Sequence, residues 1–143
     1  THDVTQLFLI VDRLRLGYEA REDVFRRMAF NVMAANCDDH SKNVSFLLRE
    51  GGAWELAPAY DVTHAYNPDG EWTYQHLLSV NGKFAKIDRS DLLAVADQVG
   101  VGTAPRVLRD VRDAVATWPD FAKRARVSVA EVKRIRGHLQ LLE

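Results

Sequence analysis

Apolar residues Leu7, Ile10, Val11 and Leu14 fall on one helical stripe and predict a first helix over Val4 to Leu16, with Asp3 or Thr5 as its N-cap. Gly17-Tyr18 punctuates it. Val24, Met28, Val32 and Ala35, widened by Phe25, Ala29 and Met33, predict a second helix from about Ala20 to Ala35. Its charged positions Arg21, Glu22, Asp23, Arg26 and Arg27 are read as a solvated face. The period then changes. Val44 to Leu48 and Ala53 to Leu56 read as two short strands joined by the hairpin turn Arg49-Glu50-Gly51-Gly52. From His64 to Phe84 the pattern is poor, with turn signals at Asn67-Pro68-Asp69-Gly70 and Asn81-Gly82. Trp72 to Val80 reads as loop with marginal strand content. Three helices are expected to close the chain. One starts near Ser90, carries Leu92, Leu93, Val95, Ala96 and Val99, and ends at Gly100. The next follows Thr103, has Pro105 in its first turn and runs to about Trp118, where Pro119 stops it. The last opens on the capping-box residues Ser128-Val129-Ala130-Glu131 and carries Val132, Ile135, Leu139 and Leu142. The expected class is mainly α with one small β-hairpin.

One stretch breaks the apolar rhythm sharply. Asn36-Cys37-Asp38-Asp39-His40-Ser41-Lys42-Asn43 follows the apolar run ending at Ala35 and precedes the aliphatic Val44-Ser45-Phe46-Leu47-Leu48. A polar cluster between two segments that both seek burial belongs at the edge of a core, in a cleft or at its rim. The hairpin that follows returns the chain, so Asp61, in Leu56-Ala57-Pro58-Ala59-Tyr60-Asp61, can approach Asn43 in space.

Composition narrows the setting. The 143 residues suit one domain, 1–143, and 47% hydrophobic with 27% charged residues is ordinary for a globular chain. A net charge of −1 gives no drive toward nucleic acid. The basic flank Lys123, Arg124, Arg126, Lys133, Arg134 and Arg136 reads as a solvated helix face. Cys37 is the sole cysteine, so no internal disulfide forms and a cytoplasmic setting is expected. It reads as a small core-edge residue, with no His or Asp arrangement that would select a nucleophilic thiol. His64, His76 and His138 read as surface or loop residues. No run approaches the roughly 20 apolar residues of a membrane span. The chain opens on Thr1-His2-Asp3 without methionine and reads as an excised or processed piece.

Phosphoryl transfer asks little of a protein: an acceptor for the substrate hydroxyl's proton, and oxygen ligands for the magnesium that bridges nucleotide phosphates. Asp38-x-x-x-x-Asn43 with the later Asp61 supplies that set. Asp38 is the candidate base, Asn43 a metal ligand through its amide oxygen, and Asp61 the main metal ligand. His40 and Lys42 add positive charge where the phosphoryl group moves. Each also has a plainer use. Asp38 can cap the loop, Asn43 can be a turn amide, and Asp61 can cap a short helix from Val62. His40 and Lys42 can serve packing or ion pairing, and Asp39 is read as structural.

The words around these residues carry more. Asn31-Val32-Met33-Ala34-Ala35-Asn36-Cys37-Asp38-Asp39-His40-Ser41-Lys42-Asn43-Val44-Ser45-Phe46-Leu47, followed by Trp54-Glu55-Leu56-Ala57-Pro58-Ala59-Tyr60-Asp61, resembles the C-terminal region of the HipA family of bacterial toxin kinases. The resemblance implies the helical C-lobe of a protein-kinase-like fold that transfers the ATP γ-phosphoryl group to serine or threonine on proteins. It places the catalytic Asp at Asp38, magnesium at Asn43 and Asp61, and ATP contacts at His40, Lys42, Asn43, Tyr60 and Asp61. Implied partners are a protein substrate (aminoacyl-tRNA synthetases among the family's targets) and a helix-turn-helix antitoxin, with no direct nucleic acid and no membrane. No glycine builds a phosphate loop after a strand, and no strand lysine precedes the acidic loop. The chain therefore reads as a C-lobe without its N-lobe, either an excised piece or a naturally truncated relative, and alone is expected to be nearly inactive with weak nucleotide affinity. Two other readings stand beside it: a metal-dependent phosphoester hydrolase using Asp38, Asp39, His40, Asp61 and His64 around two metals, against which Lys42 counts, and a non-catalytic C-lobe that docks an antitoxin.

Overall fold

A long helix, α2 (Gly17–Met33), runs through the centre of the computed structural model, which describes residues 2–142. Its buried positions Val24, Phe25, Met28, Ala29, Val32 and Met33 are the predicted stripe. Helix α1 (Thr5–Arg13) packs on it through Leu7, Phe8 and Val11. The other side takes α4 (Ala104–Ala116), whose Val107, Leu108, Val111 and Val115 recur at helical spacing and are all buried. Helix α3 (Arg89–Val99) adds Leu92, Val95 and Ala96 to the same core. Burying each of these aliphatic or aromatic side chains contributes about 1.5–3 kcal/mol.

The face of α2 read as solvated is only partly so. Glu22 accepts from the Thr103 hydroxyl at 2.5 Å and pairs with Arg106, tying α2 to the start of α4. Arg27 is 14% exposed and donates to the Ala57 carbonyl at 2.8 Å, tying α2 to the end of the hairpin. Amphipathic spacing marks which face is most apolar; it does not show what lies over the other face.

Strands β2 (Phe46–Leu48) and β3 (Trp54–Leu56) form the predicted antiparallel hairpin, with Phe46 opposite Leu56 and Leu48 opposite Trp54. Gly51 and Gly52 both adopt positive φ, which closes the turn. A second pairing was not expected. Strand β1 (His2–Asp3) runs parallel to β4 (Leu78–Ser79), fastening the region read as loop to the start of the chain.

The C-terminal half also departs from expectation in detail. Helix α4 ends at Ala116, and Pro119 lies in the first turn of a further helix, α5 (Trp118–Arg124), so four helices follow residue 88 among the described residues. Proline fits an N-terminal turn because its missing N–H has no intrahelical partner there. Helix α6 (Val129–Arg136) stops before Leu139 and Leu142, which still pack on the core. Its capping box is half made: Ser128 accepts from the Glu131 amide at 3.2 Å, but the Glu131 carboxylate turns to Arg134. The complete box is at α3, between Asp88 and Asp91, and Gly100 ends that helix at φ 74°. At α1, Asp3 accepts from the Thr5 amide at 2.9 Å while Val4 occupies the cap position.

Candidate functional site

The acidic loop begins where α2 ends. Ala35 takes a left-handed φ of 51° and turns the chain out of the helix, and the Asn36 amide returns to the Asn31 carbonyl at 2.8 Å. The loop then pairs with the segment beyond Asp61. Cys37 N–H donates to the Ala65 carbonyl at 2.9 Å, and Ala65 N–H to the Ala35 carbonyl at 3.1 Å. The Asn36 side chain, 2% exposed, donates to Asn31 Oδ1 at 3.0 Å and to the Asp61 carbonyl at 3.5 Å. Tyr60 closes the other end: its hydroxyl donates to the Lys42 carbonyl at 2.7 Å and meets Ser45 Oγ at 2.5 Å. The hairpin thus brings Asp61 back to the loop, and Asn36 and Tyr60 fix it there.

Residues 38–40 alternate. Asp38 and His40 are partly exposed, whereas Asp39 between them is 5% exposed. His40 is extended, with φ −68° and ψ 155°. In extended backbone successive side chains leave on opposite sides. Asp39 therefore points inward, where Oδ2 meets His76 Nδ1 at 2.8 Å and Oδ1 accepts from the Leu77 amide at 2.7 Å. The loop is anchored to β4 through one buried carboxylate, consistent with the structural reading of Asp39.

His76, read as a surface or loop residue, lies outside the helices and strands but is 4% exposed. Burial alone pushes its imidazole down, but hydrogen bonds to the Asp39 carboxylate and the Cys37 thiol, with the Asp39 charge, outweigh that and hold it up at about 9. The same imidazole thus lies beside both Asp39 and Cys37. His64 and His138 are also partly buried: the rings stack at 5.4 Å, His138 Nδ1 is 3.3 Å from His64 Nε2, and His64 Nδ1 is 2.9 Å from the Ala34 carbonyl. These contacts join residues far apart in the chain and leave no local pattern.

On the outer side, Asp38, His40 and Asp61 each turn one ligand atom toward a common point, all within 4.8 Å of one another. Asp61 stands in the left-handed region at φ 53°, a conformation that costs a non-glycine residue on the order of 1 kcal/mol and recurs where a side chain is aimed for function. No helix begins at Val62 for it to cap. Asn43 ends a single 3₁₀ turn, Ser41–Asn43, and its Nδ2 donates to the Asp38 carbonyl at 3.0 Å, while Oδ1 has no hydrogen-bond donor among the described residues. Asn36, His40, Asn43, Tyr60 and Asp61 line one cleft. The Asp61 carboxylate and the Asn43 amide oxygen, which share that cleft, are donors a hard cation such as magnesium takes, so the residues present fit it. Lys42 is different: its side chain is exposed and makes no ion pair among the described residues, and only its carbonyl joins the site.

The five-residue set of the two-metal hydrolase does not assemble. Asp39 is committed to His76, and His64 to His138 and the Ala34 carbonyl. Sequence reasoning missed Asn36 and His76. The amides Asn31 and Asn36, five positions apart at the end of α2, were the visible sign of the first.

The model of the HipA-like C-terminal domain family matches residues 1–119, and the chain belongs to that family. No curated protein and no solved structure matches the chain. Among the described residues no helix is long and apolar enough to cross a membrane.

Proposed function

We propose that this chain is the C-terminal catalytic lobe of a serine/threonine protein kinase of the HipA kind. The observation that carries the reading is the meeting of Asp38 with Asp61 across the hairpin, with Asn43 anchored so that its amide oxygen is free. Family membership supports it. Magnesium-bound ATP supplies the transferable phosphoryl group and, through the metal, neutralises the charge that develops on it. Asn43 Oδ1 and the Asp61 carboxylate hold the metal. Asp38, half exposed at the rim, takes the proton of the incoming hydroxyl. His40, beside it, adds a donor to the phosphates. Tyr60 sets the distance between the two loops through the Lys42 carbonyl.

The proposal assigns the base and the metal ligands to this chain; the glycine-rich cradle and strand lysine belong to an N-lobe. The acceptor is a protein serine or threonine, for which an aminoacyl-tRNA synthetase is the first substrate to assay, and a helix-turn-helix protein is the proposed regulator. In the kinase carrying both lobes, Asp61→Asn should abolish magnesium-dependent nucleotide binding measured by calorimetry, with the fold intact by circular dichroism. Unchanged affinity in that variant would remove the metal role of Asp61 and the reading with it.

A further inference from the structure

The outward cluster has a ligand that magnesium does not select. Hard cations prefer oxygen, whereas neutral imidazole suits zinc, copper, nickel and iron. His40 Nδ1 is enclosed without a partner among the described residues, and Nε2 is the nitrogen turned to the carboxylates, 3.8 Å from Asp38 Oδ1. The alternation that sends Asp39 inward puts Asp38 and His40 on the same side, and the left-handed Asp61 brings the third atom to them.

We propose that Asp38, His40 and Asp61 form a three-ligand site for a borderline divalent cation of the zinc class, filled without nucleotide. Three protein ligands with the remaining position open to water is the usual arrangement of a non-structural zinc site. With bonds of about 2.0–2.1 Å, tetrahedral ligand atoms stand about 3.4 Å apart. The observed separations, up to 4.8 Å, reach that by rotation of side chains that have room to move: Asp38 is 48% exposed and His40 36%.

This ligand set is not the magnesium set. It shares Asp61 but takes His40 and Asp38 in place of Asn43. Among the described residues no other group of three His, Cys, Asp or Glu ligand atoms converges. The binding itself stands apart from the kinase reading; its consequence rests on that reading. A cation held here occupies both the base and the main magnesium ligand, so it inhibits phosphoryl transfer rather than supporting it.

The test uses the 143-residue chain without nucleotide or magnesium. Co²⁺ is added and followed by the visible absorption of four-coordinate cobalt, and Zn²⁺ by calorimetry. One equivalent should bind to the wild type. His40→Gln and Asp61→Asn should each weaken binding by roughly tenfold or more, since loss of a ligand costs at least what loss of its supporting shell does. His138→Gln should bind as the wild type does. Wild-type affinity in His40→Gln, or loss of binding in His138→Gln, overturns the site by placing the metal elsewhere. Magnesium–nucleotide binding in the two-lobed kinase fails or holds in Asn43→Ala independently, which keeps failure of the kinase reading distinct from failure of the zinc-class site.

Discussion

Asp39→Asn removes one charge from the buried Asp39–His76 pair while keeping its shape and its ability to accept from the Leu77 amide. His76 is held at about 9 against an ordinary value of 6.5. A folded-state value raised above the unfolded one contributes stability that is fully present below 6.5 and is lost as pH rises through about 9. Between those limits the native state holds one more proton than the unfolded chain, so stability falls by about 1.4 kcal/mol per pH unit. Over the whole window the loss is ~3 kcal/mol, a large share of the 5–15 kcal/mol typical of a domain. Without the Asp39 charge, burial returns the imidazole to its neutral form and the slope disappears. Urea unfolding followed by far-UV circular dichroism at several pH values between 6 and 9.5 measures this. The variant should be less stable than wild type by ~3 kcal/mol near pH 6.5, about 6–12 °C in Tm, and the two should converge toward pH 9.5. Cys37 lies on the same imidazole, so a parallel series on a Cys37→Ser background separates its contribution from that of Asp39. Wild-type and variant curves that run parallel across the window would refute a protonated His76.

Two further substitutions test how the fold serves the site. Leu92→Ala, at a position with 0% exposure on α3, should cost about 2–5 kcal/mol in urea unfolding, because the core that α3 shares with α1 and α4 cannot fully close the cavity. Asn36→Ala deprives Asn31 and the Asp61 carbonyl of their shared donor and should cost about 1–3 kcal/mol. It should also weaken magnesium–nucleotide binding in the two-lobed kinase, since Asp61 loses the contact that helps hold its left-handed backbone; unchanged affinity would limit Asn36 to stability.

Much of the helical scaffold was legible because its information is local. The stripes of α2 and α4 repeat every three or four residues, and Gly51-Gly52 between two aliphatic runs signals a hairpin. The same hairpin made the return of Asp61 toward the acidic loop readable, since a short ribbon must bring its ends together. What escaped notice was non-local or ambiguous. The β1–β4 pairing is two residues long and joins His2 to Leu78, so no window of sequence contains it. His76 looked like a loop histidine because its partner Asp39 lies in another segment. Pro119 carries the same signal whether it ends one helix or starts the next, and here it begins α5. The inward turn of Asp39 between Asp38 and His40 was open to inference from extended alternation alone, but required knowing that residues 38–40 are extended.

The central claim is that Asp38 is the base of a phosphoryl transfer whose metal is held by Asn43 and Asp61. Its most direct measurement is transfer of the ATP γ-phosphoryl group to a protein hydroxyl by the two-lobed kinase, wild type against Asp38→Asn, at saturating magnesium–ATP. Turnover should fall roughly a hundredfold or more with nucleotide affinity retained, because only the proton acceptor is lost. Transfer at the wild-type rate by Asp38→Asn would contradict it.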